Sequence, residues 1–433
     1  MLDKHNSLGQ RERMLKAPPP PPMINAEELA VRYSGSTTWH PLDAKTYKRL
    51  TGKAELDSDD DEKLAINNNN VSSFLQRSLQ LPNVALFAGS GTSLGDPKGP
   101  SMWDLWSSCM FKNGEYDPSQ PCEAQMTEKS VEVCRQVNYT QLDAPNIEHF
   151  LSYCDAYLMV HWDDNIVDSF VTDVKATVLK CCSEFLNRKD SDISAYTTLL
   201  LKLAKRRVRD SRLKVFTTNY DMCFETAASN LGMITVDGFS YTRKRRFDGQ
   251  FFNYDIVRRD GDVPSFIAGV IQLYKLHGSV SWERNDTSIF ESSNVDPKKA
   301  CLIYPAKGKY QQAFIQPHLE LLSRFLEYLR QPNNCLIMSG FGFNDDHLSE
   351  PILSAVKSNP SLKLIVTDYS ACSNISPARK YWNELSIAAE NGFDITFINA
   401  SFKDLGRLIP NLAALSPAEQ LANSIRLTAK EIQ

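Results

Sequence analysis

From Val84 onward the chain alternates short apolar runs with abrupt polar endings: VALFAGSGTS, LKVFTTNYD, IQLYKLHGS, CLIYPAKG, CLIMSGFGFND, LKLIVTDYS and FDITFINAS. Runs of this length, closed by Gly, Asn, His or Asp, predict the buried strands of a parallel sheet. Between several of them the apolar spacing is helical, as in NIEHFLSYCDAYLMV, NIVDSFVTDVKATVLKCCSEFL, HLELLSRFLEYL and HLSEPILSAV. Strand–helix alternation predicts an α/β fold, a Rossmann-like doubly wound parallel sheet, with functional residues at the carboxyl ends of the strands.

Two stretches break this rhythm. About 120 residues separate the first glycine loop from LKVFTTNYD, far more than a crossover helix needs, and their helical spacing predicts a helical insertion over about 104–210. Residues 1–75 carry a five-proline run (Pro18 to Pro22), the acidic stretch Asp57–Glu62 and an Asn67–Asn70 tract. That composition predicts a partly disordered low-complexity arm with no packed core of its own, followed by one α/β domain over 76–433.

Composition changes this picture little. Of 433 residues, 42% are hydrophobic and 23% charged, an ordinary globular mixture, and a net charge of −4 supplies no global field for a nucleic acid or an anionic membrane. Any nucleic-acid contact is then indirect or confined to Lys205–Arg209 and Arg243–Arg246, which read first as solvated faces. Ten cysteines without a C-x-x-C pair, no apolar leader and no membrane-length apolar run lead to the expectation of a cytoplasmic protein with reduced thiols.

Candidate chemistry sits where the apolar runs end. In VALFAGSGTS a strand runs into Gly89, Ser90, Gly91, Thr92 and Ser93, a loop suited either to cradling a pyrophosphate or to a plain strand-to-helix turn. TTNYD places Asn219, a simultaneous donor and acceptor, at a strand end, beside Asp221, which either holds the loop or meets a ligand. KLHGS places His277 before Gly278, and imidazole is the side chain suited to proton exchange near neutrality. His149, His161, His318 and His347 show no metal-ligand spacing and default to core or surface roles.

The ordered set GSGTS, TTNYD, KLHGS followed by Trp282, and SGFGFND, with NIEHFL at 146–151, resembles the sirtuin-like NAD-hydrolase domains of bacterial anti-phage defence systems, over about residues 80 to 400. The resemblance implies an NAD⁺ glycohydrolase that depletes NAD⁺ as an abortive-infection effector. In it the GSGTS loop holds the pyrophosphate, Asn219 positions water or ribose, and His277 polarises a ribose hydroxyl. Gly340, Gly342, Asn344 and Asp345 form a second nucleotide-binding loop, and Asp368 accepts from the adenosine ribose hydroxyls, a placement that favours NAD⁺ over NADP⁺. It also implies a homo-oligomer and pairing with a HerA-type ATPase, with NAD⁺ as substrate and no further cofactor.

Two departures from protein-deacylating sirtuins sharpen the expectation. No cysteine lies between His277 and Cys301, so no zinc is expected, and GPSMWDLW replaces the G-x-P-D-F-R stretch. Both disfavour an acyl-lysine groove and favour water as acceptor. A nucleotide sensor that does not hydrolyse, and a deacylase or ADP-ribosyltransferase, are the alternatives.

Overall fold

In the computed structural model the described residues are 28–412, except 116, 118, 121, 143, 208–209, 262 and 303–315. They begin with two short strands, β1 (Ala30–Arg32) and β2 (His40–Pro41), and two helices, α1 (Ala44–Thr51) and α2 (Ser58–Ser78). Strand β3 (Asn83–Ala88) leads into the single-turn helix α3 (Gly91–Leu94). Before the next strand come α4 (Met102–Met110), α5 (Cys122–Gln125), α6 (Glu128–Gln136), α7 (Ile147–Leu158), α8 (Asn165–Glu184) and α9 (Ser194–Leu203). Then follow β4 (Leu213–Thr217), α10 (Cys223–Asn230), β5 (Ile234–Val236), the hairpin β6 (Val257–Asp260) and β7 (Val263–Phe266), and β8 (Val270–Lys275). A separate antiparallel sheet holds β9 (Gly278–Asn285), β10 (Ser288–Glu291) and β11 (Ala300–Leu302). The last described elements are α11 (His318–Arg330), β12 (Asn334–Ser339), α12 (Asp346–Ser358), β13 (Leu362–Asp368), α13 (Ala371–Asn374), α14 (Lys380–Glu390), β14 (Ile395–Asn399) and α15 (Phe402–Leu408).

The main sheet has the order β2-β1-β14-β13-β12-β3-β4-β8-β5, parallel from β14 to β5. From β3 the chain passes to β4 on one side, and it later crosses to β12 on the other. The strand order therefore reverses between β3 and β12, and the carboxyl ends of these two strands flank the crevice in which a doubly wound sheet binds ligand. Alternation along the strands feeds both faces of the sheet. Phe87, Leu336 and Met338 join one core with Phe325 and Trp382, while Leu86, Cys335 and Ile337 join the other with Leu75, Leu199 and Phe402. The helices between β3 and β4 build a third core around Trp106, Phe150 and Phe170, into which Tyr220 of the TTNYD turn reaches. That shared residue seats the insertion on the strand ends.

Two expectations are corrected. The described part of CLIYPAKG supplies no parallel strand: Ala300–Leu302 pairs antiparallel with β9 in the small sheet, and residues 303–315 lie outside those described. The Pro18–Pro22 run also lies outside the described residues, but residues 28–75 fold onto the sheet rather than forming an arm. β1 pairs antiparallel with β14, and Val71 and Leu75 of α2 pack in the core with Val31. The acidic stretch is a helix start, Asp57 forming a capping box with Asp60, while Asn67 and Asn68 donate to the carbonyls of Pro41 and Leu42. Buried Asp60 accepts from Lys53 and Tyr47, which hold its carboxyl well below the usual range. The apolar positions Leu64, Val71 and Leu75 share one helical face at long intervals, which the polar composition obscures.

Candidate active site

At the reversal point two glycine turns meet backbone to backbone. Gly89 donates to the Ser339 carbonyl and Gly91 to the Gly340 carbonyl, at 2.9 and 3.0 Å. A Cβ on Gly89 would lie 2.4 Å from the Gly340 oxygen, and one on Gly340, where φ is +63°, would lie 2.5 Å from the Thr92 nitrogen. Glycine is required here because two chain segments share the space. The N–H groups of Gly89, Gly91, Thr92 and Ser93 all donate to backbone carbonyls. These four donors are engaged within the protein, while Ser90 and Ser93 line one cavity and Gly91 and Thr92 another.

Directly above the crossing, Asn219 is fixed by a closed set of donors. Thr92 Oγ1 donates to the Gly89 carbonyl and Ser93 Oγ to the Ser90 carbonyl, so both hydroxyl oxygens have only acceptor capacity left toward Asn219. The Asn219 Nδ2 fills it, donating to Thr92 Oγ1 at 3.1 Å and Ser93 Oγ at 3.2 Å. This settles the orientation of the amide: Oδ1 is the atom left over, buried and without a partner among the described residues. Tyr196 donates to the same Thr92 oxygen from α9, so the insertion braces the arrangement.

Asn219 lines a cavity of about 160 Å³ together with Ser90, Ser93, Glu148, Asp221, His277 and Asp345, as well as Gly342 and Asn344. Among its described lining residues there are three carboxylic acids and no Lys or Arg. Burial, reinforced by Asp345, pushes Glu148 up to about 8, against the hydrogen bond from the Tyr220 hydroxyl. Burial and the neighbouring Asp346 push Asp345 up to about 7. Asp221 mainly holds the turn, its Oδ1 accepting from the Cys223 N–H, while buried Lys275 donates to the Asp221 carbonyl and pairs with Glu225.

His277 is buried, and its Nε2 lies 3.1 Å from Nε2 of His347. Desolvation and the neighbouring imidazoles of His347 and His318 depress its pKa well below the usual value, so the ring is neutral and one of the two histidines donates to the other. His149 and Glu148 line the cavity, and His347 meets His277, three placements that the sequence pattern does not single out. The segment NIEHFL held both His149 and Glu148; a carboxylate inside an otherwise apolar helical face was the signal available. His318 keeps a core role, within hydrogen-bonding distance of the Leu276 carbonyl. Of the basic clusters, Arg206 clamps the Leu79, Leu81 and Pro82 carbonyls and Arg245 pairs with Asp237 and Glu291, so neither side chain lies on a free solvated face.

Across the glycine crossing lies a second cavity of about 200 Å³, lined by Gly91, Thr92, Gly340, Asp368 and Lys403 among others. Asp368 Oδ1 accepts from Ser370 and Asn374, leaving Oδ2 without a hydrogen bond among the described residues. Gly340 lines both cavities. No group of three or more His, Cys, Asp or Glu side chains among the described residues is arranged to hold a metal ion, and no described helix is long and apolar enough to cross a membrane.

A doubly wound parallel sheet with paired cavities at its reversal point defines the class: a Rossmann-like α/β protein with a two-part crevice. Residues 213–389, which include Asn219, His277, Asp345 and Asp368, match the model of the family described as SIR2-like domain. No curated protein matches the chain. Similar solved structures include a triple mutant of a Sir2 homologue in complex with 2′-O-acetyl ADP ribose, at 12% identity over 78% of this chain and 95% of that one, TM-score 0.35. Others are a Sir2 enzyme at 12% identity over 74% and 97%, TM-score 0.31, and a Sir2 histidine mutant with a deacetylated p53 peptide and 3′-O-acetyl ADP ribose, at 10% identity over 78% and 95%, TM-score 0.33.

Proposed function

We propose that the chain binds NAD⁺ across the glycine crossing and hydrolyses its nicotinamide–ribose bond, releasing nicotinamide and ADP-ribose. The observation that carries this reading is the Asn219 Oδ1: a buried acceptor with a fixed direction and no partner among the described residues, on the wall of a cavity whose described lining is rich in carboxylic acids and holds no Lys or Arg. Such a cavity suits the one part of a dinucleotide that is positively charged, the nicotinamide ring and its ribose. The SIR2-like match over the strands that carry the site supports NAD⁺ as the dinucleotide.

Each residue then has a chemical task. Cleavage sends the bonding electron pair to the nicotinamide nitrogen, which leaves neutral without an acid, and develops positive charge at the ribose. The ionised fraction of Glu148 and Asp345 stabilises that charge, and a cation in the cavity in turn favours their ionised form. Asn219 Oδ1 accepts from the attacking water or a ribose hydroxyl, and the neutral His277 and His347 pair orients the ribose. Asp368 Oδ2 accepts from the adenosine ribose in the second cavity and repels a 2′-phosphate, favouring NAD⁺ over NADP⁺. The resemblance supports two further proposals, assembly with other copies or with a HerA-type ATPase and a role in anti-phage defence; light scattering of the pure protein tests the first, and phage challenge of cells carrying an Asn219→Ala variant tests the second.

Incubating the protein with NAD⁺, with and without an acyl-lysine peptide, tests the central reaction. Free ADP-ribose and nicotinamide are expected in both. Acetyl-ADP-ribose formed only with the peptide would assign a deacylase, and saturable binding with NAD⁺ intact would assign a sensor.

A further inference from the structure

Hydrolysis releases a proton from the attacking water, and the Asn219 and His277 pair is poorly suited to take it. An amide oxygen is a feeble base. The His277 ring has its Nε2 engaged with His347 and sits in a dry pocket that disfavours its charged form.

Glu148 is differently placed. It sits in the first turn of α7, where the Asn146 side chain caps the helix by accepting from the N–H groups of Glu148 and His149 at 2.8 and 3.2 Å. This pins the segment that faces the strand ends. The Tyr220 hydroxyl donates to Glu148 Oε1 at 2.9 Å, and the Tyr220 carbonyl accepts from the Val280 N–H at 3.0 Å. One carboxylate oxygen is therefore held, while Oε2 takes no hydrogen bond among the described residues and is not buried from the cavity. The residue that holds Glu148 is the sequence neighbour of Asn219. A single turn thus carries the amide that presents an acceptor to the reacting water and the hydroxyl that holds the carboxylate lining the same cavity.

We propose that Glu148, contributed by the helical insertion, is the catalytic residue that takes the proton of the attacking water, an inference that rests on the hydrolytic reading. The water oxygen bonds to the ribose C1′ as the C1′–N bond breaks. One water proton passes to Glu148 and from there to solvent, the nicotinamide nitrogen keeps the electron pair, and no oxidant or further reactant is needed. The titratable groups lining the cavity with Glu148 are Asp345 before α12, Tyr220 and Asp221 after β4, Cys182 of α8, His149 on α7 itself and His277. Burial first and Asp345 second raise Glu148 to about 8, which makes it a stronger base than an ordinary carboxylate and leaves a working fraction ionised at neutral pH.

The insertion then does more than cover the crevice. It supplies a reacting group, so a displacement of α7 relative to β4 would switch hydrolysis without altering dinucleotide contacts on the sheet.

The test is the pH dependence of kcat for NAD⁺ hydrolysis by the full chain, with ADP-ribose binding by calorimetry as the check on folding. The wild type should gain kcat as pH rises, with a midpoint near 8. Glu148→Gln should bind ADP-ribose normally, lose roughly 100-fold or more in kcat and lose the pH-dependent limb. In Glu148→Ala, added formate should restore part of the rate, which a purely structural role would not allow. Asp345→Asn should keep the limb but move its midpoint to lower pH, since Asp345 is one cause of the raised value. If Asn219→Ala is inactive while Glu148→Gln keeps both rate and limb, the assignment of Glu148 fails and the hydrolytic reading stands. If the limb persists in Glu148→Gln and vanishes in Asp345→Asn, Asp345 is the base and the proposal is overturned. A wild type that binds NAD⁺ and leaves it intact overturns both.

Discussion

The Asn219 Nδ2 donates to Thr92 Oγ1 at 3.1 Å, a contact between residues 127 apart that ties the end of β4 to the turn after β3. Because Thr92 already donates to Gly89 and accepts from Tyr196, the contact has one polarity only. It makes Asn219 Oδ1 a fixed acceptor instead of a rotating one.

Replacing Asn219 by Asp keeps size and shape but turns an oxygen toward two hydroxyl oxygens that have no proton left to offer. The expected cost is about 1–3 kcal/mol of stability, from a buried polar contact turned repulsive, together with loss of nicotinamide release. Asn219→Ala should be milder in stability and equally inactive. Chemical denaturation and product assays on both variants separate the two effects.

Most of the sheet was legible in the sequence because its strands are buried on both faces and read as unbroken apolar runs that stop at polar residues. Asn219, His277 and Asp368 stand at such stops, and their locations followed from the pattern. Glu148 and His149, which line the cavity from α7, and His347, which meets His277 from α12, did not, because helical spacing carries no mark of which face meets a crevice. The purpose of Gly89, Gly91 and Gly340 was hidden for a related reason. Their need for glycine arises from a contact between turns about 250 residues apart, which no local motif reports. The fold of α2 was masked by composition, its three core positions being spread among Asp, Asn and Lys.

Gly340→Ala should destabilise the protein by about 2 kcal/mol or more, since the new Cβ both meets the Thr92 nitrogen at 2.5 Å and strains a backbone at φ +63°. Gly406→Ala, inside α15, brings its Cβ no nearer than 3.6 Å to any neighbour and should cost no more than about 0.5 kcal/mol. Equilibrium unfolding of the pair checks that the two turns interlock.

Stability should fall as pH rises above neutrality. Glu148 and Asp345 have folded pKa values raised to about 8 and about 7, so the native state holds protons that the unfolded chain has released, and that advantage is lost as pH passes through the folded values. His277 and His318 act in the opposite direction: their depressed values contribute stability that is complete above the unfolded value and is lost as pH falls below it. Above about pH 6.5 the histidine contribution is constant, and below about pH 7.5 the buried thiols, such as Cys134 and Cys335, whose raised values act in the same direction at higher pH, add little, so the carboxyls dominate between these limits. Thermal unfolding from pH 6.5 to 7.5 should show a falling Tm in the wild type and a flatter profile in the Glu148→Gln, Asp345→Asn double variant.

His347 is predicted to act through His277. Removing it in His347→Ala frees the His277 Nε2 and loosens the ring, with an expected drop in kcat of roughly 10–100-fold and little change in KM, because dinucleotide contacts elsewhere persist. Steady-state kinetics at several NAD⁺ concentrations reads the split directly.

The central claim is that Asn219 serves a water or ribose hydroxyl at the nicotinamide end of NAD⁺. Its most direct test is chromatographic product analysis after incubating NAD⁺ with wild type and with Asn219→Ala, each shown to be folded. Stoichiometric nicotinamide and ADP-ribose are expected from the wild type and intact NAD⁺ with the variant; equal product formation by both, or NAD⁺ bound and unchanged by the wild type, would contradict this role of Asn219.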